Sequence, residues 1–359
     1  MDPAVCHPAY PDFCKFAYLL LFKWYVMKFG VIGSGSWATA LTKVLTDNGQ
    51  KINWWIRNTH TLEHIRLRNH NPHYLPSVLF SNELLEMSSS IEYVTENSDV
   101  LVIAVPAAFV REVFSGLSSD IFQGKRIVSA VKGILPEKNE VLNEYLKDGF
   151  GVKPEHYFTL LGPCHAEEVA SEKLSYLTFS GIDRATTREI ADCFKTPYLN
   201  TTINQDVMGV QYAAVLKNIY ALGAGIAHGL EYGDNFLSVY IANAADEMVR
   251  FLQNAARHTR GTQPINYFAS VYLGDLLVTC YSLYSRNRMF GNMIGKGYSV
   301  RAAQLELSMV AEGYNASKCI FMINQQEGVK MPMLEIIYGI LWQNLPAWDG
   351  FRKIETLLV

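Results

Sequence analysis

The sequence predicts an α/β fold in which a doubly wound parallel sheet is followed by an all-helical C-terminal domain. From Lys28 to about Ile203, short β-rich runs alternate with longer amphipathic stretches, which indicates parallel strands with helices between them. After Val207 the strand signals nearly vanish and long helical patterns follow. The length of 359 residues fits about two domains at about 150 residues each. We therefore place a sheet domain at 27–205 and a helical domain at 206–359.

Each strand is predicted from a short, nearly continuous apolar run, as is typical of parallel strands buried on both faces. These runs are Lys28–Ile32, Lys51–Ile56, Val100–Val105, Arg126–Val131, Tyr157–Leu161 and Tyr176–Phe179. Helices such as Trp37–Asn48 and Arg111–Leu117 are predicted between them. The polar segment Leu199–Asp206, rich in threonine and asparagine, is the expected boundary between the domains.

The second half is predicted to be helical because its apolar residues recur with helical spacing. The predicted helices are Val207–Ala227, Phe236–Ala256, Ile265–Leu283, Val300–Glu312, Ala316–Glu327 and Met333–Leu341.

The first 26 residues fit neither domain. Met27 stands directly before the first predicted strand, so we interpret residues 1–26 as an upstream extension from a start codon assigned too early. The alternative is a real anchor or packing arm, since 16–26 is an apolar run broken by Lys23. It is shorter than the roughly 18 residues that a membrane span requires.

The composition excludes several classes of protein. A hydrophobic content of 49% and a net charge of only -3 exclude disorder as the main state. The absence of a strongly basic balance argues against a nucleic-acid binder. The six cysteines show neither CxxC nor zinc-finger spacing, so we expect reduced thiols in a cytoplasmic protein and no metal.

A glycine-rich loop joins the first strand to the first helix. The sequence Gly33-Ser34-Gly35-Ser36-Trp37-Ala38 has the form G-x-G-x-x-A. Gly33 permits the tight turn, Gly35 lets the backbone approach a pyrophosphate, and Ala38 permits close packing of helix on strand. The helix N-terminus then offers free N–H groups to phosphates. This context predicts a Rossmann-type dinucleotide site.

The end of the second strand bears on the choice of cofactor. Enzymes selective for NAD usually carry an acidic residue there, about 20 residues after the loop. This chain has Arg57-Asn58 instead, and an arginine can stack on adenine or accept a 2′-phosphate. The cofactor is therefore predicted to be NAD or NADP, and a solvated surface arginine is the other interpretation.

Two further strand ends lie where ligands bind in open α/β sheets. Lys132, beside Gly133, is placed to meet an anion. The loop after the fifth predicted strand contains Cys164 and His165. His165 is a base by residue type, but a lone loop histidine is more often a polar bystander. Cys164 has no clear partner base, which argues against a nucleophile.

Unusual polar residues interrupt the helical domain. Lys217 lies inside an apolar helical run and must snorkel, pair or have a depressed pKa, so it is a candidate general acid/base. Asp275 starts a short apolar turn, where it is either functional or a helix N-cap. Arg286 and Asn287 offer a cationic fork and an amide to a phosphate or carboxylate, unless Arg286 is simply exposed.

Seven motifs together carry a family resemblance. They are GSGSWATA at 33–40, VKG at 131–133, GPCHAEE at 162–168, LKN at 216–218, GDLLVTC at 274–280, SRNRMFG at 285–291 and AEGYNASK at 311–318. Over about residues 28–345 the chain resembles the bacterial type of NAD(P)-dependent glycerol-3-phosphate dehydrogenase. Cys164 stands where that family usually has serine or threonine.

The resemblance implies a cytoplasmic enzyme that reversibly reduces dihydroxyacetone phosphate to sn-glycerol 3-phosphate with NAD(P)H, for glycerophospholipid synthesis. It implies a homodimer with no nucleic-acid partner and no membrane span. Lys217 would exchange the proton of the C2 oxygen, Lys132 would stabilise its charge, and Asp275 would fix the lysine. The implied substrate contacts are Lys132, Gly162, Asn218, Asp275, Thr279, Ser285, Arg286 and Asn287. The implied cofactor contacts are Gly33, Gly35, Ser36, Trp37, Arg57, Lys132, Cys164, Ala166, Arg286, Val310 and Glu312.

Two alternatives remain at this point. One is another dehydrogenase of the same two-domain design that acts on a 3-hydroxy acid or a sugar acid. The other is a non-catalytic NAD(P)-binding sensor, which would have no need for Lys132, Lys217 and Arg286 together.

Overall fold

A computed structural model describes residues 27–255, 264–307 and 311–359 of the chain. The extension proposed for residues 1–26 and the predicted cofactor contact Val310 lie outside the described residues. Within them, no helix is long and apolar enough to cross a membrane.

The first half folds around an eight-stranded sheet whose order is β3-β2-β1-β4-β5-β6-β7-β8. The strands are β1 Phe29–Ile32, β2 Ile52–Trp55, β3 Leu85–Ser88, β4 Val100–Ile103, β5 Arg126–Ser129, β6 Tyr157–Leu161, β7 Ser175–Ser180 and β8 Leu199–Asn204. All neighbours pair in parallel except β6 and β7, which are antiparallel. The predicted doubly wound fold is confirmed, with one antiparallel pair that the sequence did not indicate.

The sequence analysis missed two strands, β3 and β8. The segment predicted as a polar boundary contains β8, which pairs in register with β7 at the edge of the sheet. Its residues are mostly half-buried, so polar threonine and asparagine are tolerated on an edge strand where an apolar run is not required. β3 is only four residues long and alternates buried with more exposed positions. The proposed division between residues 205 and 206 falls in the short connection after β8.

Helices cover both faces of the sheet and build the second half. Those of the first half are α1 Ser36–Asp47, α2 Thr59–Arg68, α3 Ile91–Glu96, α4 Val110–Phe114, α5 Leu142–Phe150, α6 Ala166–Ala170 and α7 Arg184–Asp192. Those of the second half are α8 Val207–Gly229, α9 Asp234–Ala255, α10 Asp275–Tyr281, α11 Arg286–Gly295, α12 Val300–Glu306, α13 Glu312–Glu327, α14 Pro332–Trp342 and α15 Ala347–Glu355.

Two long predicted helices are wrong in their extent. The expected helix Ile265–Leu283 is a π-helical turn at Ser270–Gly274 followed by α10. The expected helix Val300–Glu312 ends at Glu306, and α13 begins at Glu312. Apolar spacing persists across both breaks because the residues on each side pack on the same core, and spacing therefore cannot locate the breaks.

Gly33 follows β1 at the point where the strand order of the sheet reverses, between β1 and its neighbour β4. Its φ is +126°, and a Cβ there would lie 2.5 Å from the carbonyl oxygen of Ala104, at the end of β4. The indole of Trp54 donates a 2.7 Å hydrogen bond to the Gly33 carbonyl. The turn is thus fixed by a close approach of two strand ends, the place where open α/β sheets bind ligands.

We expect Gly33→Ala to lower the free energy of unfolding by more than about 1 kcal/mol, because alanine is strained at this φ and meets backbone. Urea denaturation measures the loss. Gly49→Ala is the matched control, since Gly49 also has a positive φ of +73° but has nothing within 4 Å of an added Cβ. Equal losses in the two variants would show that the close approach to β4 contributes nothing.

The helical half is organised around α8, a helix of 23 residues that is buried on nearly all sides. Glycines allow α11 to cross it closely, since a Cβ on Gly225 would overlap the Arg288 carbonyl and one on Gly291 would overlap that of Leu222. Ile134 and Leu161 of the first half join the same hydrophobic core. This shared core holds the middle of α8 against the strand ends of the sheet.

Candidate active site

A cleft of about 590 Å³ lies between the strand ends and the helical half. Its volume is typical of small-ligand sites, which span about 300–1,000 Å³. The predicted residues on its wall are Gly35, Ser36, Trp37, Lys132, Cys164, Ala166, Lys217, Asn218, Asp275, Thr279, Ser285, Arg286, Asn287 and Glu312. The structure thus brings together most of the residues that the sequence singled out.

The glycine loop presents bare backbone to this cleft. A Cβ on Gly35 would meet nothing within 4 Å, and no side chain caps the N-terminus of α1. The first-turn N–H groups therefore remain available to an anion. Asn71 steadies the loop by donating 3.0 Å hydrogen bonds to the Ser34 carbonyl and to Thr39. These features fit a dinucleotide pyrophosphate.

Arg57 lies outside the main cleft, in an adjoining pocket of about 370 Å³. Tyr74 borders both cavities. The Arg57 side chain is 67% exposed and donates a 2.8 Å hydrogen bond to Glu112. No carboxylate lines the pocket among the described residues, and His73 does line it. The sequence analysis missed His73 and Tyr74, whose best signal was the turn-forming Asn-Pro pair before them.

Lys217 and Asp275 form an ion pair on the cleft wall. Lys217 comes from the middle of α8 and Asp275 from the first turn of α10, and their side chains are 5% and 1% exposed. Asp275 therefore pairs with the lysine and does not cap its own helix, whose N-terminus has no side-chain cap. Lys217 is paired in the cleft and does not snorkel to the surface.

The environment of the pair tunes the lysine. Burial lowers the pKa of Lys217 to about 8, while the adjacent carboxylate of Asp275 opposes the shift. The second carboxylate oxygen of Asp275 is buried without a hydrogen-bond partner. Thr279 donates a 2.5 Å hydrogen bond to the Asp275 carbonyl. The pair thus has one free acceptor, and its lysine loses its proton around pH 8.

Lys132 reaches the same cleft from the end of β5. Its amino group donates to the carbonyls of Gly162 and Cys164, at 3.1 and 3.4 Å, and lies 5.1 Å from the centre of the Trp37 ring. Gly162 is absent from the cleft wall. Its carbonyl accepts a hydrogen bond from Lys132, and the substrate contact that the resemblance implied for Gly162 stays a prediction.

Two asparagines on the cleft wall are hydrogen-bonded to each other, and one of them also bonds to the sheet half. Asn218 donates a 2.8 Å hydrogen bond to the Lys132 carbonyl and accepts one of 2.9 Å from Asn287. Asn287 accepts a 2.8 Å hydrogen bond from the Gly313 N–H. Both amide oxygens are therefore engaged within the protein, and each amide nitrogen keeps one proton for a ligand.

Ser285 has a local structural role. Its hydroxyl accepts a 3.3 Å hydrogen bond from the Arg288 N–H and caps α11. Since Arg286 and Asn287 are the first residues of α11, this cap fixes where they enter the cleft.

Glu312, at the start of α13, contacts the sheet half. It accepts a 3.1 Å hydrogen bond from the Ala107 N–H. A Cβ on Gly133 would lie 2.7 Å from its other oxygen, so the glycine after Lys132 makes room for this carboxylate. Burial raises the pKa of Glu312 to about 7, although the charge of Arg286 opposes the shift.

The loop after β6 places Cys164 and His165 at the cleft. The Cys164 thiol donates to the Tyr176 carbonyl at 3.2 Å, and burial raises its pKa to about 11. It is therefore a neutral thiol at physiological pH, as expected of a cysteine that is no nucleophile. His165 also lines the cleft. All four cysteines in the described part of the chain are free, and that part has no cluster suited to a metal ion.

Comparison with known proteins identifies the family. Residues 28–187 match the family described as NAD-dependent glycerol-3-phosphate dehydrogenase N-terminus, and residues 206–351 match the corresponding C-terminus. A glycerol-3-phosphate dehydrogenase (NAD(P)+) of Thermoanaerobacter sp. (strain X514) is 34% identical over 334 residues, which cover 92% of this chain and 97% of that protein. The chain belongs to the NAD-dependent glycerol-3-phosphate dehydrogenase family. The resemblance predicted from the motifs is confirmed.

Solved structures agree with membership of the glycerol-3-phosphate dehydrogenase family. The enzyme of that name from Coxiella burnetii superposes with a TM-score of 0.83 at 26% identity, covering 91% of this chain and 98% of the other. Among curated relatives, the Bacillus cytotoxicus enzyme is 33% identical over 331 residues, 91% of this chain and 94% of its own length. The match therefore extends over both halves.

Proposed function

We propose that this protein reversibly reduces dihydroxyacetone phosphate to sn-glycerol 3-phosphate with NADH or NADPH, and so supplies the backbone for glycerophospholipids. The observation that carries this proposal is the buried Lys217–Asp275 pair, which opens on a cleft that also holds Lys132 and Arg286. Family membership supports the substrate, since the curated relatives carry the name of this enzyme.

Lys217 is the proton donor in the reductive direction. Its lowered pKa of about 8 leaves it mostly protonated at neutral pH yet able to release the proton, the condition that favours general acid catalysis. As charge builds on the C2 oxygen, the ammonium stabilises it and then transfers a proton. Asp275 orients the ammonium, and its unpartnered oxygen accepts a hydrogen bond from a substrate hydroxyl.

Lys132 assists from the sheet half of the protein. Its amino group is anchored on two carbonyls, which are neutral acceptors and leave its positive charge uncompensated. A second cation beside the carbonyl oxygen stabilises the developing charge further.

The glycine loop is where a dinucleotide would bind. Gly33, Gly35, Ser36 and Trp37 would hold its pyrophosphate and nicotinamide end, and Arg57 would face its adenosine end. Ala166 and Glu312 border the cleft beside it. When bound, the reduced nicotinamide supplies the hydride, and the protein orients the reactants and provides the electrostatic environment.

The direct test is the oxidation of NADPH and of NADH, followed by absorbance, with dihydroxyacetone phosphate against a panel of oxo acids. Turnover with the phosphorylated ketone alone supports the proposal. Preference for an oxo acid would assign the chain to a different dehydrogenase activity, and absence of turnover with every substrate would indicate a sensor.

Arg286→Ala is expected to raise KM for dihydroxyacetone phosphate by about 10- to 100-fold, because a hydrogen bond to a charged phosphate is worth about 1.5–3 kcal/mol. The rise should nearly vanish with unphosphorylated dihydroxyacetone. Arg301→Ala, at an exposed position of α12, is the control and should match the wild type. An unchanged KM in Arg286→Ala would remove this residue from the phosphate site.

We also propose that the enzyme works in the cytoplasm as a homodimer, without a nucleic-acid partner. The resemblance supports the dimer, and the net charge of -3 gives no basis for nucleic-acid binding. Sedimentation equilibrium tests the dimer.

A further inference from the structure

His165 carries an unexplained polar atom at the cleft. Its Nε2 is buried and has no hydrogen-bond partner, while the ring lines the cavity. A buried polar group left unpaired costs about 1–3 kcal/mol, and such groups in native proteins call for a reason. A ligand that enters the cleft is the candidate partner for this nitrogen.

His165 lies among the groups assigned to the C2 oxygen and beside Arg286, which is assigned to the phosphate. Its ring centre lies 6.0 Å from that of Tyr284, two residues before Arg286. The charged groups that act on the imidazole are Lys132, Lys217, Asp275 and Arg286. His165 therefore stands among three cations and one carboxylate, all on the cleft wall.

His165 is neutral in this setting. Burial, together with the charges of Lys132 and Lys217, lowers its pKa to about 4. A neutral imidazole has one N–H donor and one acceptor nitrogen. With the proton on Nε2, it donates a directed hydrogen bond without adding another positive charge to the site.

We propose that His165 is a positioning residue that donates from Nε2 to the phosphate of the substrate. This inference rests on the proposed function, and it adds a residue to which neither the sequence motifs nor the family resemblance gave a role. The cations Lys132, Lys217 and Arg286 attract the anion, whereas the imidazole selects its orientation. Orientation matters because the phosphate is remote from C2 and holds the carbonyl in place for hydride transfer.

Two substitutions separate the nitrogen from the ring. His165→Phe keeps an aromatic ring but removes both nitrogens, and His165→Gln keeps an N–H at a similar reach. We expect His165→Phe to raise KM for dihydroxyacetone phosphate, and Ki for inorganic phosphate, by about tenfold or more. We expect His165→Gln to recover most of that loss. KM for NADPH and KM for unphosphorylated dihydroxyacetone should change by much less.

Three results would overturn the proposal. They are a wild-type phosphate affinity in His165→Phe, a loss that falls on the cofactor KM, and a loss in kcat without one in KM. Thermal denaturation of the wild type and of both variants shows whether the substitutions leave the fold intact. The proposed function is tested separately by wild-type turnover, whereas this proposal is tested by the change in phosphate affinity. Calorimetric titration of inorganic phosphate measures that affinity even in a protein that shows no turnover.

Discussion

Lys217→Met is expected to lower kcat for ketone reduction by at least about 100-fold, since loss of a general acid typically costs 10²–10⁴-fold. The ammonium of Lys217 pairs with Asp275 at the cleft wall. Methionine is close to lysine in length and fills the same space in α8, so the variant removes the charge and leaves the packing.

The fold of this variant needs its own measurement, because removing one member of a buried ion pair destabilises a protein. Trp37 lines the cleft, so fluorescence titration with NADPH reports whether the cleft is intact. Lys147→Met, at an exposed position on α5, is the matched control and should retain wild-type turnover. If Lys217→Met binds NADPH normally and turns over within tenfold of the wild type, another group is the acid.

The residues that the sequence singled out mostly line one cleft, and they could be singled out because their signals are local. The glycine loop, Lys132 and the loop after β6 each follow an apolar strand, and parallel strands deliver such positions to one edge of the sheet. Lys217 was identifiable because a charge in an apolar helical run requires a special environment. These inferences depend on residues near one another in the chain.

What the sequence did not reveal depends on contacts between distant segments. The partner of Lys217 is 58 residues away, and Asp275 by itself looked equally like a helix cap. His165 looked like a bystander because nothing near it in sequence indicates that α11 and its preceding loop pack opposite. Strand β8 was hidden because an edge strand does not need the apolar run that a central strand needs.

The asparagine pair Asn218 and Asn287 shows that the sequence can also suggest a ligand contact where the structure has a contact within the protein. The motifs associated Asn218 and Asn287 with substrate. In the structure both amide oxygens accept hydrogen bonds within the helical half, and the Asn218 amide nitrogen donates to the Lys132 carbonyl of the sheet half. A residue type suited to ligands is equally suited to joining segments, and only the spatial neighbours distinguish the two uses.

Asp275→Asn is expected to move the pH dependence of reduction to lower pH. In the wild type, kcat for reduction should fall as pH rises through about 8, where Lys217 loses the proton it must donate. The Asp275 carboxylate favours the charged lysine and so raises its pKa, against the larger effect of burial. Removing the negative charge lowers the pKa of Lys217 further, so the decline begins at lower pH.

The size of this shift follows from the proximity of the two charges. An opposite charge at close range is worth about 1–3 pKa units. A shift of about two units would leave about 1% of Lys217 protonated at pH 8, against about half in the wild type, which predicts a loss in kcat of roughly 50-fold there. The loss should shrink as pH falls, because the lysine regains its proton in both proteins. A pH–rate profile measures this, with exposed Asp349→Asn as the control. A decline that stays near pH 8 in Asp275→Asn would show that the carboxylate does not tune the lysine and that its role is confined to the substrate hydroxyl.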